Sequence, residues 1–199
     1  MIPEINGLVL VGGKSRRMKT DKGLISLYGK PQRIHTYDLL KNAGIRSVYF
    51  SCREDQVETL KDYSLLIDKP SFKGPFDVIL NIFEEFPDFA WLITACDLPL
   101  LTSETIKELL EHRNPSKIAT AFQLPENDFP EPLITIWEPS AATNLKRFLE
   151  AGNHRLIDFL KQSNVEIITP NNPESLFNMN DPQARLMIEQ KLGRGLNRF

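Results

Sequence analysis

The stretch Leu8-Val9-Leu10-Val11-Gly12-Gly13-Lys14-Ser15-Arg16-Arg17-Met18-Lys19-Thr20-Asp21-Lys22 decides how the rest of the chain is read. Its apolar start predicts a buried strand from Gly7 to Val11. Two glycines follow, which let the backbone turn sharply and present N–H donors with no Cβ in the way. Five cations, Lys14, Arg16, Arg17, Lys19 and Lys22, then crowd into nine positions opposed by Asp21 alone. Taken singly, such charges read as a solvated basic run. Their coincidence with a strand and a double glycine predicts an anion loop of the kind a polyphosphate requires. Two other phosphate loops do not fit. The P-loop needs a glycine where Leu8 stands, and the dinucleotide fingerprint fails because no glycine lies between Gly13 and Gly23.

Working outward, short β-branched and aromatic runs alternate with amphipathic segments. Further strands are predicted at Ser47 to Ser51, Leu65 to Ile67, Phe89 to Thr94, Ile118 to Phe122, Leu133 to Trp137 and Val165 to Ile168. Helices are predicted at Gln32 to Asn42, Gln56 to Lys61, Phe76 to Phe86, Ser103 to His112, Ala141 to Ala151, Arg155 to Lys161 and Pro182 to Leu192. Thr102 offers a capping hydroxyl ahead of Ile106, and Gly44 and Gly152 each follow a helix where positive φ is useful. Pro125 to Pro132 and Thr169 to Glu174 read as surface loops, since their prolines deny the backbone regular pairing. The alternation predicts an α/β class, a three-layer α/β/α domain with a mainly parallel twisted sheet. One domain is expected over residues 1–199, with 193–199 as a tail.

The 199 residues are 41% hydrophobic and 25% charged, enough for one full core. Lys plus Arg number 24 against 26 Asp plus Glu, so the net charge of -2 gives no global field for nucleic acid or an anionic membrane. Cys52 and Cys96, both among apolar residues, exclude a disulfide framework or a Cys-rich zinc site. His35, His112 and His154 lack metal-ligand spacing. No apolar run approaches the roughly 20 residues of a bilayer span, and no basic region precedes the first one, so a cytoplasmic location is expected.

The second informative stretch is Trp91-Leu92-Ile93-Thr94-Ala95-Cys96-Asp97-Leu98-Pro99, an apolar strand ending in a lone aspartate. Ligands of an open parallel sheet bind outside the carboxyl ends of its strands, so Asp97 is expected on the edge that carries Gly12 and Gly13. One carboxylate there is enough to recruit Mg2+, which takes its remaining ligands from phosphate and water. The alternative is a turn-forming or helix-capping aspartate. Cys96 reads as a small core residue.

Leu10-Val11-Gly12-Gly13, Ser15-Arg16-Arg17-Met18 and Asp21-Lys22-Gly23 resemble the signature loop of the nucleotidyltransferase superfamily, and most of all that of the molybdenum cofactor guanylyltransferases. Cys96-Asp97-Leu98-Pro99 resembles the C-D-x-P motif of the same family. The resemblance implies a Rossmann-like nucleotidyltransferase fold. It implies that Leu10, Val11, Gly12 and Gly13 wrap the nucleotide, that Arg17 and Lys22 contact phosphates, and that Asp97 binds magnesium. Ser51 stands where a nucleotide-contacting asparagine is common, and Asp68, Gly74 and Pro75 match positions beside the base and ribose. Phe177-Asn178-Met179-Asn180-Asp181-Pro182 is similar to an N-x-N-T-P segment, placing Asn178 and Asn180 on the acceptor side. Gly152-Asn153-His154-Arg155 is similar to a G-x-x-R segment that faces the second substrate. The chain departs from the family pattern at Val11, Lys19, Asp77, Val78 and Glu131.

The expectation is therefore an Mg2+-dependent nucleotidyltransferase that moves GMP from GTP to the phosphate of molybdopterin or its molybdenum adduct, with Lys22, Arg17 and Asp97 as the catalytic set. Proteins that deliver the cofactor are the implied transient partners. Two alternatives stay open at this point: cytidylyl or sugar-phosphate transfer on the same fold, and a nucleotide-binding regulator without turnover.

Overall fold

A computed structural model describes residues 2–13 and 21–196. Seven strands form one sheet: β1 (Ile5–Leu10), β2 (Val48–Cys52), β3 (Ser64–Ile67), β4 (Ala90–Ala95), β5 (Ala119–Phe122), β6 (Ile134–Trp137) and β7 (Val165–Ile168). Their order across the sheet is β3-β2-β1-β4-β6-β5-β7. All neighbouring pairs are parallel except those made by β6, which runs against both β4 and β5. The reversal has a simple origin: the proline-rich connection from Gln123 to Leu133 contains no crossover helix, so the chain can only return beside β5 in the opposite sense.

Helices α1 (Gln32–Asn42), α2 (Pro75–Glu85), α3 (Ser103–Glu111), α4 (Ala141–Glu150), α5 (Leu156–Lys161) and α6 (Pro182–Leu196) complete the fold. Alternate residues of the central strands feed two separate cores. Val9, Phe50, Leu92 and Ile136 face Leu40 of α1 and Ile106 and Leu109 of α3. On the opposite face Leu8, Trp91, Ile93 and Trp137 pack against Phe76, Ile79 and Ile82 of α2, Leu145 of α4 and Phe159 of α5. Burial on both faces explains why β1 and β4 read as near-continuous apolar runs. Gly7 lets α1 pack closely on β1, since a Cβ there would lie 3.1 Å from Leu40 and 3.2 Å from Val48, close enough that those side chains would have to give by a few tenths of an ångström. Gly44 and Gly152 take positive φ after α1 and α4, as their positions predict.

The structure moves several boundaries. Val11 lies beyond β1, and α6 continues through Gly193 to Leu196, inside the segment expected as a tail, whose last residues, 197–199, lie outside the described residues. The segment read as a helix from Gln56 to Lys61 is a 3-10 turn over Glu54–Leu60, tightened by Gln56, whose side chain folds back to accept the Arg53 N–H at 3.0 Å. The end of the loop expected at Thr169 to Glu174 belongs to a second 3-10 turn, Pro173–Leu176, which proline starts with its preset φ. A third, Lys22–Leu24, escaped the pattern entirely. No helix among the described residues is long and apolar enough to cross a membrane.

Candidate active site

The register brings the site together. Leu10 is level with Ser51 on one side and Ala95 on the other, and Ser51 is level with Leu66. Moving two residues onward from each strand position reaches Gly12, Arg53, Asp97 and Asp68, which therefore share the carboxyl edge of four neighbouring parallel strands. The chain proceeds outward from β1 through β2 to β3, then returns to place β4 on the other flank of β1. The crevice between β1 and β4 is thus the switch point where open α/β sheets bind ligands.

On the β4 side, Lys22 is the meeting point. Its Nζ donates to Asp97 Oδ2 at 3.1 Å and to Asn180 Oδ1 at 2.6 Å, joining residues far apart in the chain. Asp21 sets the lysine's position: its Oδ1 accepts the Gly23 N–H at 2.9 Å and caps the turn that carries Lys22. Asn180 is delivered by backbone pairing, since the Met179 N–H donates to the Asp97 carbonyl at 2.8 Å. Met179 is buried while Asn178 and Asn180 are exposed, the alternation expected of an extended segment. Asp181 caps α6 through a 2.9 Å bond from the Ala184 N–H, so a structural role and a site role sit on adjacent residues.

Asp97 is held with one oxygen on Lys22, while its Oδ1 is buried without a hydrogen-bond partner among the described residues. A buried, unpaired carboxylate oxygen beside a phosphate-binding crevice fits a hard cation. Among the described residues, no cluster of three or more His, Cys, Asp or Glu could hold a metal alone. A cation at Asp97 would draw its other ligands from phosphate oxygens and water. Glu131 is close enough for its carboxyl pKa to be raised, first by burial and then by the charge of Asp97. Burial also pushes the neighbouring Cys96 thiol up to about 12 and the Cys52 thiol up to about 11, so both are inert core residues.

On the β2 and β3 side, the Ser51 hydroxyl donates to Asp68 Oδ1 at 2.5 Å. A Cβ on Gly12 would come within 2.0 Å of Asp68 Oδ2, so glycine here makes room for the carboxylate. Burial raises the Asp68 pKa, against the Ser51 hydrogen bond and the Arg53 charge, which lower it. Val11 points its side chain into the core, and Leu10 is partly buried on the opposite face, leaving backbone as their contribution to the crevice. Arg17, with Lys14, Ser15, Arg16 and Lys19, lies outside the described residues.

Gly74, Pro75 and Arg155 line a separate cleft of about 300 Å3 with Asp77, Pro132, Leu133 and His154. Asp77 turns back to accept the Lys73 N–H at 2.6 Å, whereas Val78, the next residue of α2, is buried in the core. Arg155 precedes α5 and pairs loosely with Asp158 at 3.5 Å. Two site residues escape sequence reasoning. Arg53 donates to the Gly12 carbonyl at 2.7 Å, and Gln56 is almost wholly buried against the base of the loop. Their signal is a polar Arg53-Glu54-Asp55-Gln56 run directly after a strand, which by composition reads as an ordinary surface turn.

The family profile of the MobA-like NTP transferase domain matches residues 7–166, which contain both the Gly12 loop and Asp97. The chain belongs to this family. As an NTP transferase it is an enzyme, and its mostly parallel sheet with helices is the Rossmann-like fold of the nucleotidyltransferases. It is 33% identical over 179 residues to a molybdenum cofactor biosynthesis bifunctional protein from Synechocystis. That match covers 89% of this chain but spans about half the length of the relative, 51%. A molybdenum cofactor guanylyltransferase from a Shewanella species is 26% identical over 197 residues, covering 96% of this chain and 99% of the relative. Among solved structures, the molybdopterin-guanine dinucleotide biosynthesis protein A of Archaeoglobus fulgidus superposes with a TM-score of 0.76 at 25% identity, covering 95% of this chain and 99% of its own.

Proposed function

We propose that this NTP transferase moves GMP from GTP to the terminal phosphate of molybdopterin or its molybdenum adduct, with release of pyrophosphate. The single observation that carries the reading is Lys22 held between Asp97 and Asn180 at the β1/β4 crevice. There one cation reaches the place of a nucleoside triphosphate while bonded to a residue of the expected acceptor side. An acceptor phosphate oxygen attacks the α-phosphorus, a P–O bond to the acceptor forms, and the bond to the β-phosphate breaks. The acceptor is already an anion, so no proton has to be removed from it and no histidine base is needed.

The work of the protein is then positioning and charge stabilisation. Lys22 neutralises charge growing on the departing pyrophosphate, and the Gly12 and Gly13 backbone approaches the nucleotide with no side chain in the way. Ser51 and Asp68 present polar groups toward base and ribose. Asp97 would hold Mg2+, which when bound supplies charge neutralisation to the triphosphate. Asn180, Asn178 and Arg155 face the acceptor, the last from the neighbouring cleft. In the cell, the supply of a labile pterin calls for transient contact with proteins that deliver it, and a cytoplasmic setting suits GTP as donor.

Pyrophosphate release measured with molybdopterin as acceptor tests the reading. GTP is expected to support turnover and CTP to support at least tenfold less. Asp97→Asn should lower kcat by about 100-fold or more while leaving the melting temperature within a few degrees. Equal use of CTP would refute the base assignment, and wild-type kcat in Asp97→Asn would remove the metal from Asp97.

A further inference from the structure

The two ends of the basic loop are fastened by a single buried side chain. Gln56 Nε2 donates to the Val11 carbonyl at 3.0 Å, just before the loop, and to Asp21 Oδ2 at 2.9 Å, just after it. Its Oε1 accepts the Arg53 N–H at 3.0 Å, so both hydrogens and the oxygen of the amide are in use. Arg53 takes the next carbonyl, that of Gly12, while its guanidinium forks onto Asp55 at 2.9 and 3.1 Å. Asp21, gripped through Oδ2, uses Oδ1 to cap the turn that aims Lys22.

In a planar trans peptide the C=O of one residue and the N–H of the next point in opposite directions. Capture of the Val11 and Gly12 carbonyls therefore turns the Gly12 and Gly13 N–H groups away from Gln56 and Arg53. We infer that Gln56, with Arg53, is a positioning residue for nucleotidyl transfer: it orients the two glycine amides at one end of the loop and Lys22 at the other. Neither residue needs to touch the substrate to do this. The inference rests on the nucleotidyl-transfer reading of the crevice, and it extends that reading to the segment after β2.

Gln56→Met keeps the length of the side chain and removes its donors, and Asp21→Asn alters the other partner. Hydrogen exchange of the full-length protein and steady-state kinetics with GTP and molybdopterin separate a clamp from a general folding role. In Gln56→Met, exchange at residues 11–13 and 21–24 should accelerate about tenfold while that of β4 and α3 stays at the wild-type rate. The kcat should fall about 10- to 100-fold, with KM for GTP changed less than threefold. The double variant should be no more than about twofold slower than the slower single one, because both break the same link. Should Gln56→Met fail to fold, Gln56→Glu keeps the acceptor for Arg53, turns a second acceptor toward Asp21, and should show the same pattern. Wild-type kcat, uniform acceleration of exchange, or losses that multiply in the double variant would overturn the clamp. If the wild type releases no pyrophosphate at all, the function reading fails, and exchange at the two loop ends still decides the clamp.

Discussion

Asp68 shows how a buried carboxylate at the carboxyl edge of the sheet is held at the expense of stability. Burial raises its carboxyl pKa above the ordinary 3.8, and the Ser51 hydroxyl and Arg53 charge only partly offset this. A raised folded-state pKa means that folding favours the protonated form. The stability contributed by that form is fully present below the ordinary value and lost as pH rises through the folded-state pKa. Asp68→Asn, which can still accept from Ser51, should therefore melt higher than the wild type at pH 7. The difference should shrink on acidification through the carboxylate range, as followed by thermal denaturation at several pH values. Nucleotide affinity should fall in the same variant if Asp68 reads the base or ribose. Gly12 was legible as a turn residue, but its need to clear Asp68 was not, because the two meet only through the sheet.

At the scale of elements, α3 illustrates a helix whose start is written in its sequence. The Thr102 hydroxyl accepts the Thr105 N–H at 3.2 Å, as the local pattern predicts. Thr102→Ala should cost about 1 kcal/mol, lowering the melting temperature by roughly 2–4 °C in a chain of this size. Activity per folded molecule should be unchanged. The strands were equally legible, since β-branched runs buried on both faces leave little ambiguity. The 3-10 turns were not. Lys22–Leu24 depends on the Gly23 N–H donating to its own capping Asp21 and on Gln56, from the segment after β2, donating to the same aspartate, and Glu54–Leu60 on a side chain that serves the loop. Their conformations follow from tertiary partners, and a propensity pattern over a few residues cannot carry that information.

For the molecule as a whole, the two edges of the sheet divide stability from chemistry. The carboxyl edge of β1 to β4 carries the crevice. At the opposite edge, where antiparallel β6 ends, Glu138 is buried and pairs with Arg113 beyond α3 through bonds of 2.6 and 2.8 Å. Removing the arginine leaves a buried carboxylate unpaired, a loss of roughly 3–5 kcal/mol. Arg113→Met should therefore unfold at markedly lower denaturant, while GTP affinity of the folded protein matches the wild type. Adding Glu138→Gln should return part of the loss.

The sequence by itself determined the fold class and the two motifs that define the site, because hydrophobic alternation, glycine pairs and a strand-ending aspartate are local signals with local physical causes. The strand-ending Asp97 was expected on the edge that carries Gly12, and the structure puts it there, with Lys22 bonded to it and to Asn180. Gly74, Pro75 and Arg155, expected beside the base and ribose and toward the second substrate, line one cleft together. Only the tertiary structure decided the Ser51 to Asp68 contact and the bonds from Arg53 and Gln56 to the base of the loop. Each of those depends on strand register and on the direction of individual carbonyls, which are fixed when distant segments pack and have no trace in the spacing of residues along the chain.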